Sequence, residues 1–324
     1  MKLYRESIEV KVLITGGQGF IGNRFVNSLV ESGNYSYDDI IVVDDLSNSC
    51  VKDPLPYVLY KIPIEGRSGL FDIFKKHKPD IVFHFAAKVV VSDSLYGIFE
   101  NAYTNICGSA NVFHCCYITD VSKVVFISSG AVYGDTNILP TPETVEPKPI
   151  SIYGINKYTA EQYLDVYAQT GKLDTLIFRF ANVYGPGQFT ELGVIKNFIL
   201  NALEKTPLIV YGDGSASRDF VHVDDIASAV NHAFDKRCVG TFNVGTGKAV
   251  TINNLIEIIQ QIISFSLHYD ISVQYLDKRP EDILHSVLCA DKLCKSFDWQ
   301  SKVELSDGIS SLFDYYRDQM SRGH

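Results

Sequence analysis

The stretch VLITGGQGFIG, residues 12–22, decides the fold. An apolar, largely β-branched run (Val12, Leu13, Ile14, Thr15) leads straight into Gly16, Gly19 and Gly22, and a helical pattern runs from about Phe20 to Ser32. Glycine lets the chain turn tightly and lets its backbone approach a pyrophosphate, whose charge then rests on the amides of a helix N-terminus. The next apolar run, IIVVD at 40–44, ends in Asp44, 22 residues after Gly22. A carboxylate there can accept hydrogen bonds from a ribose diol and repel a 2′-phosphate. The combination predicts a dinucleotide site that prefers NAD to NADP.

Working outward, the same rhythm repeats. Strands are expected at 10–15, 40–44, 81–87, 124–128 and 175–180. Helices are expected around Leu70–Lys76, Phe99–Tyr117 and Tyr153–Thr170. Strands that are apolar without alternation, separated by helices, mean a parallel sheet covered on both faces. The fold class is therefore α/β, a Rossmann doubly wound parallel sheet. After Phe180 the rhythm loosens into ANVYGPG, a helical stretch at about Val194–Leu203 and the glycine-rich YGDGS at 211–215, which suits a smaller α/β C-terminal domain. FVHVDDIASAVNHAF at 220–234 restores the first pattern. The expected division is residues 1–181 for the dinucleotide domain, to which the chain returns at about 220–246, and 182–324 for the second domain.

Composition bounds the function. The 324 residues carry 29 Lys plus Arg against 38 Asp plus Glu, a net charge of −9, which excludes a general nucleic-acid partner and requires any anionic ligand to be held locally. No apolar run approaches the roughly 18 residues of a membrane span, and Lys2, Arg5, Glu6 and Glu9 stand where a signal peptide would be apolar. A cytoplasmic protein with no membrane association is expected. Seven cysteines, an odd number with no C-x-x-C pair, predict free thiols and no metal. Cys115 and Cys116 beside His114 read as a buried helix face.

A candidate catalytic set lies behind the nucleotide-binding half. SIYGINK places Tyr153 and Lys157 four residues apart at the start of a helix, hence on one face. A phenol near pKa 10 serves as a base at neutral pH only when its anion is stabilised, which an ammonium and an oxidised nicotinamide would do. FISSGAVYG ends a strand with Ser128 and Ser129, and a hydroxyl there can hydrogen-bond the oxygen that Tyr153 deprotonates. His84 reads as a packed, hydrogen-bonded residue, and Asp224 and Asp225 as caps of a helix starting near Ile226.

Together these residues resemble the extended short-chain dehydrogenases/reductases, in particular the NAD-dependent nucleotide-sugar epimerase/dehydratase family. The resemblance covers nearly the whole chain. Gly16, Gly19 and Gly22 match its G-x-x-G-x-x-G, DDLSNS at 44–49 is similar to a segment of its 4-epimerases, and HFAA at 84–87 and Asn105 match its cofactor-side motifs. Ser129, Tyr153 and Lys157 match its catalytic triad, and RFANVYGP at 179–186 its following strand. The resemblance implies cofactor contacts from the three glycines, Phe20, Ile21, Asp44, Asn48, Ala86 and Asn105, with Tyr153 and Lys157. It implies substrate contacts from Ser129, from Asn182, from Arg218 of GDGSASRDFVHVDD and from Arg279 of RPED, the two arginines meeting a diphosphate. Ser286, seven residues beyond Arg279, stands where the epimerases limit the sugar's 2-substituent, and a small residue there admits an N-acetyl group. The family's dimers, built on two helices per subunit, imply a homodimer through 99–117 and 153–170.

Departures from the family narrow the chemistry. Between Ser129 and Val132, where the dehydratases and the decarboxylase carry acidic residues, this chain has Gly130 and Ala131. Without a carboxylic acid there, loss of water lacks its proton donor, and reversible oxidation and reduction remain. The implied activity is 4-epimerisation of a nucleotide sugar, a UDP-hexose or UDP-N-acetylhexosamine, through a transient 4-keto sugar, in carbohydrate metabolism such as polysaccharide synthesis. A 4-ketoreductase or another nucleotide-sugar epimerase is the enzymatic alternative, and a non-catalytic NAD-binding sensor or scaffold the alternative of another class. Pro63 in KIPIEG departs from the adenine-binding pattern, and Glu281 adds a charge where the family commonly has glycine.

Overall fold

A computed structural model of the chain describes residues 10–51, 55–89, 97–188, 193–235, 237–279 and 282–322. In chain order the strands are β1 (Val12–Thr15), β2 (Ile40–Val43), β3 (Val58–Tyr60), β4 (Ile81–His84), β5 (Lys123–Ser129), β6 (Asp174–Phe180), β7 (Asn182–Tyr184), β8 (Leu208–Tyr211), β9 (Ser217–Arg218), β10 (Phe220–His222), β11 (Gly240–Val244), β12 (Val250–Thr251), β13 (Val273–Leu276) and β14 (His285–Ser286). The helices are α1 (Phe20–Glu31), α2 (Arg67–His77), α3 (Ile98–Ala102), α4 (Ser109–Ile118), α5 (Ile152–Ala168), α6 (Val194–Leu203), α7 (Val223–Asn231), α8 (Ile252–Leu267), α9 (Asp291–Phe297) and α10 (Leu305–Arg322).

Seven parallel strands form the central sheet in the order β3-β2-β1-β4-β5-β6-β11. Because successive side chains of a strand point to opposite faces, Val12 and Ile14 enter one core with Phe25 and Val26 of α1 and Ile226 of α7. Leu13 enters the other, with Phe74 of α2, Phe113 of α4 and Leu164 of α5. Burial on both sides is why these strands read as continuous apolar runs. The direction of the strand order reverses between β1 and β4, the place where a doubly wound sheet opens a crevice at its strand ends.

Three details differ from the sequence expectation. β3, at the sheet edge and only partly buried, has too short an apolar signature to stand out. The strand expected at the start of 220–234 does not join the sheet: β10 pairs with β7 in a separate two-stranded sheet, while α7 covers the α1 face and β11 is the strand that pairs with β6. The helical stretch 99–117 is interrupted by a π-helical segment, Tyr103–Gly108, a rare geometry that concentrates at functional sites. A third core, built from α6, α8, α10 and β8, holds the C-terminal part together around Phe198, Ile199, Leu255, Ile259, Leu312 and Phe313.

Candidate active site

At Gly16 the backbone is left-handed (φ +70°), and a Cβ there would sit 2.5 Å from the Ala86 nitrogen. At Gly22 a Cβ would sit 2.2 Å from the Gly16 carbonyl oxygen. The loop, the first turn of α1 and the segment after β4 thus approach at distances that only glycine allows. Gly19 caps α1 without a side-chain hydrogen bond, which leaves the first-turn N–H groups available to an anion. Phe20 and Ile21 open the helix and are partly exposed.

Asp44 is buried, and its two oxygens accept from Gln18 N (2.9 Å) and Leu46 N (2.8 Å). Burial pushes its carboxyl above the ordinary range, against the pull of those two bonds. Asn48 lies exposed in the turn beyond. The glycine cradle, the open amides and the strand-end carboxylate fit a dinucleotide with a free ribose diol. Across the crevice, Ala86 N donates to Thr15 O (3.1 Å). Asn105, from the π-helical segment, grips the backbone of Lys88 on both sides, accepting from its N–H (2.9 Å) and donating to its carbonyl (2.8 Å). Its amide therefore fixes the backbone after β4.

The candidate catalytic residues come together at the ends of β5 and α5. Ser129 Oγ accepts from Ala131 N (3.2 Å), which starts a 3₁₀ turn over Gly130–Tyr133, and the Ser129 hydroxyl is the group that favours ionisation of the Tyr153 phenol. Tyr153 lies in the first turn of α5, where Ser151 caps Gly154 N (3.1 Å). A Cβ on Gly154 would stand 2.6 Å from the Ala131 carbonyl oxygen, so the helix rests directly on the turn that carries Ser129, the candidate catalytic turn. Burial pushes the Tyr153 phenol above its usual range, and the Ser129 hydroxyl opposes that. Lys157, 3% exposed, donates to Ile127 O (2.7 Å), with its Nζ 5.9 Å from the Tyr153 ring centre and 4.8 Å from that of Phe126. Burial brings its pKa down to about 7, and the Glu161 carboxylate one turn further opposes the shift.

Two buried polar chains support this set, and the first, through Glu161, was missed in the sequence. Glu161 accepts from the Ser128 hydroxyl and takes a forked pair from Arg179, Nε to Oε1 (3.0 Å) and Nη2 to Oε2 (2.5 Å). Arg179 continues to Tyr133 Oη (2.9 Å), which donates to Asn243 (2.8 Å). Glu161 lies four residues after Lys157, a spacing visible in the sequence; its partners are not. His84 is fully buried between Thr15 Oγ1 (2.7 Å, at Nδ1) and Ser109 Oγ (2.9 Å, at Nε2). Ser109 donates its hydrogen to Asn105 O (2.7 Å), so it must accept from His84, which fixes the Nε2–H tautomer. Burial lowers the ring's pKa to about 3, with the Lys157 charge adding to the effect. The packed, hydrogen-bonded reading of His84 holds.

The candidate substrate residues gather on the small sheets. Arg218 and Ser286 are register partners across β9 and β14, and Asn182, exposed at the start of β7, is the register partner of Phe220. The Arg218 guanidinium donates to Ser217 O (2.9 Å) and Leu284 O (3.3 Å) and stands 4.0 Å from Asp282. Burial lowers its pKa, against Asp282 and Asp135, so an anion placed there would relieve the desolvated charge. Arg279 lies over the Tyr211 ring at 3.7 Å, and its carbonyl accepts from Asp282 N (3.3 Å), so Asp282 links the two arginine segments. Beside them Gly212, Asp213 and the end of β13 line an open groove of about 740 Å³. Leu288, two residues after Ser286, packs against Gly130 of the catalytic turn.

The expected capping by Asp224 and Asp225 is corrected. α7 starts at Val223 and is capped by His222, whose Nδ1 accepts from Asp224 N (3.3 Å). Asp224 pairs with Arg24 of α1, and Asp225 accepts from Lys302 N (2.9 Å) and Val303 N (3.1 Å). Cys115 and Cys116 are buried free thiols, and no cluster of metal-ligating side chains occurs among the described residues. No helix among the described residues is long and apolar enough to cross a membrane. Glu281 lies outside the described residues.

Comparison with known proteins places this geometry. The model of the NAD dependent epimerase/dehydratase family matches residues 12–245. A crystal structure of UDP-glucose 4-epimerase from Thermotoga maritima with UDP-glucose superposes with a TM-score of 0.89 at 36% identity, covering 96% of this chain and 99% of that one. UDP-N-acetylglucosamine 4-epimerase from Methanobrevibacter ruminantium M1, in complex with UDP-N-acetylmuramic acid, gives 0.86 at 32%, with 96% and 99% covered. dTDP-D-glucose 4,6-dehydratase from Mus musculus is 29% identical over 96% of this chain and 90% of its own length.

Proposed function

The chain belongs to the NAD-dependent epimerase/dehydratase family, and from that premise we propose that it interconverts the 4-epimers of a UDP-hexose or UDP-N-acetylhexosamine. Its cofactor is NAD, held by the Gly16–Gly22 loop and Asp44. NAD, when bound, supplies a hydride acceptor at its nicotinamide and gives the hydride back. Tyr153 takes the proton of the substrate 4-hydroxyl and returns it. A desolvated phenol resists ionisation; the Ser129 hydroxyl opposes that shift, and the ammonium form of Lys157 together with an oxidised nicotinamide would stabilise the phenolate. Ser129 also orients the reacting oxygen. The observation that carries the choice of reaction is the catalytic turn itself: Gly130 and Ala131 offer no carboxylic acid where the dehydratase chemistry needs one.

In this reading Asn182, Arg218 and Arg279 hold the diphosphate, and Ser286 leaves room for a 2-N-acetyl group. Residues 1–181 with the return at 220–246 form the NAD-binding unit, and 182–324 the nucleotide-sugar unit. Ile98, Phe99 and Tyr103 on one helix pair and Ile155, Tyr163 and Val166 on α5 are exposed. Phe99 and Tyr103 are four residues apart, and Ile155, Tyr163 and Val166 are separated by eight and three, so each set marks an apolar face that a second copy would cover, giving a homodimer. Seven free cysteines suit the reducing cytoplasm.

The test is proton NMR of the purified protein with UDP-, dTDP-, GDP- and CDP-hexoses and UDP-N-acetylglucosamine, without added cofactor. The 4-epimer of a UDP sugar should accumulate to equilibrium. No turnover, even with NAD added, would overturn the reading.

A further inference from the structure

Asp219 is fully buried, and both its oxygens are saturated by neutral donors. Oδ1 accepts from Thr246 N (2.9 Å) and Thr246 Oγ1 (2.5 Å); Oδ2 accepts from Gly247 N (3.1 Å) and Leu288 N (3.3 Å). Three of the four donors are backbone N–H groups that can only donate, a set that suits a carboxylate, and these bonds oppose the upward shift that burial gives the carboxyl. The backbone of the same residue makes two further bonds: its N–H donates to Ser286 O (2.9 Å), and its carbonyl accepts from Asn182 N (2.9 Å). Gly245 is the space this arrangement needs, because a Cβ there would stand 2.3 Å from Oδ2.

These contacts have a common geometry. Asn182, Arg218 and Ser286 sit on three different strands, β7, β9 and β14, and Asp219 is bonded to or adjacent to each of them. Through Thr246 and Gly247 it ties those strands to the end of β11, the last strand of the central sheet. Through Leu288 N it fixes the residue that packs on Gly130 of the catalytic turn.

We propose that Asp219 is the positioning residue of the nucleotide-sugar face, holding Asn182, Arg218 and Ser286 in one rigid arrangement against the NAD-binding sheet. The role rests on the nucleotide-sugar reading above for its kinetic consequence, though not for its structural one. An asparagine at 219 keeps the shape and the two backbone bonds to Asn182 and Ser286 but turns an NH₂ toward one pair of donors, so at least one backbone N–H among Thr246, Gly247 and Leu288 loses its acceptor and the side-chain tie from β9 to those segments is broken. Tyr153, Lys157 and the NAD loop are not bonded to Asp219, and its one link toward the Gly130 turn is the bond from Leu288 N at 3.3 Å, so ground-state binding should suffer much more than the chemical step.

The experiment compares Asp219→Asn and Thr246→Val with the parent protein. Expected for Asp219→Asn is a KM for the UDP sugar raised by about tenfold or more, with kcat within about threefold and NAD retained on purification. Thr246→Val, which removes one of the four donors, should raise KM by about threefold. A general loss of folding would lower kcat and the melting temperature together and leave KM alone, and that result overturns the proposal, as does an unchanged KM in a folded Asp219→Asn protein. If Asp219→Asn does not fold, Thr246→Val decides by the same split. If the parent protein turns over no nucleotide sugar, the functional reading falls and hydrogen exchange decides the positioning role. Lost protection at Asn182, Thr246, Gly247 and Leu288 in either variant upholds it, and unchanged protection refutes it.

Discussion

Gly154 offers the sharpest test of the catalytic geometry, because two opposed effects act on one methyl group. In a helix, alanine is favoured over glycine by up to about 1 kcal/mol, so Gly154→Ala would stabilise α5 if the site were open. It is not open: the new Cβ would stand 2.6 Å from the Ala131 carbonyl oxygen and 3.1 Å from Pro149 Cβ, where real Cβ contacts stay above 3.0 Å. The nearer neighbour is backbone and cannot rotate away. The first turn of α5, carrying Tyr153, must therefore withdraw from the Ser129–Tyr133 turn by about 0.4 Å or more. Overpacking of this kind costs about 1–3 kcal/mol, which exceeds the helical gain. The larger effect is on catalysis, since displacements below 1 Å between reacting groups cost about 10- to 100-fold in rate. Steady-state kinetics with the UDP sugar should show kcat reduced by about that factor, KM within about threefold, NAD retained and a melting temperature a few degrees lower. A variant with parental kcat and a raised melting temperature would refute the reasoning, because α5 would then not be resting on the catalytic turn.

Three further outcomes follow from the same site. Tyr153→Phe keeps the ring packing and removes the acid–base group, so kcat should fall about 10²- to 10⁴-fold with substrate binding retained; a smaller loss by NMR assay would remove Tyr153 from the mechanism. Gly22→Ala would set a Cβ 2.2 Å from the Gly16 carbonyl oxygen, and the protein should purify without NAD while still binding UDP by calorimetry. Full retention of NAD in that variant would contradict the loop geometry. His84, lowered from 6.5 to about 3, should remain the neutral Nε2–H tautomer at pH 5 in ¹⁵N imidazole spectra. Its contribution to stability is present above pH 6.5 and is lost as pH falls from 6.5 toward 3, because the unfolded chain binds the proton first; a protonated ring at pH 5 would refute that sign.

Local pattern carried most of the architecture. Val12–Thr15, Ile40–Val43 and Lys123–Ser129 announce themselves because both faces of each strand are buried, which leaves an uninterrupted apolar run. β3 escaped notice because an edge strand needs only part of that signal. The destination of β10 could not be read, since Phe220–His222 is equally apolar in either sheet and only the pairing with Asn182–Tyr184 distinguishes them. Tyr153 and Lys157 were legible because their spacing is helical and local. Glu161 is equally local, but its meaning depends on Arg179 and Ser128, which arrive from β6 and β5. Asp219 illustrates the limit: its four donors come from residues 246, 247 and 288, and no spacing in the chain predicts that they converge. Asp224 and Asp225 were misread for a different reason, as two acidic residues at a helix start imitate caps while the His222 imidazole takes that position and frees them for Arg24 and the 302–303 backbone.

The most direct test of transient oxidation at carbon 4 uses a UDP sugar deuterated at that carbon, followed by NMR and mass spectrometry of the epimer formed in ordinary water. Hydride that leaves carbon 4 and returns within one closed site predicts full retention of the deuterium at carbon 4 of the product, with a primary isotope effect on turnover. Loss of the label to solvent, or its appearance at another carbon, would contradict the account.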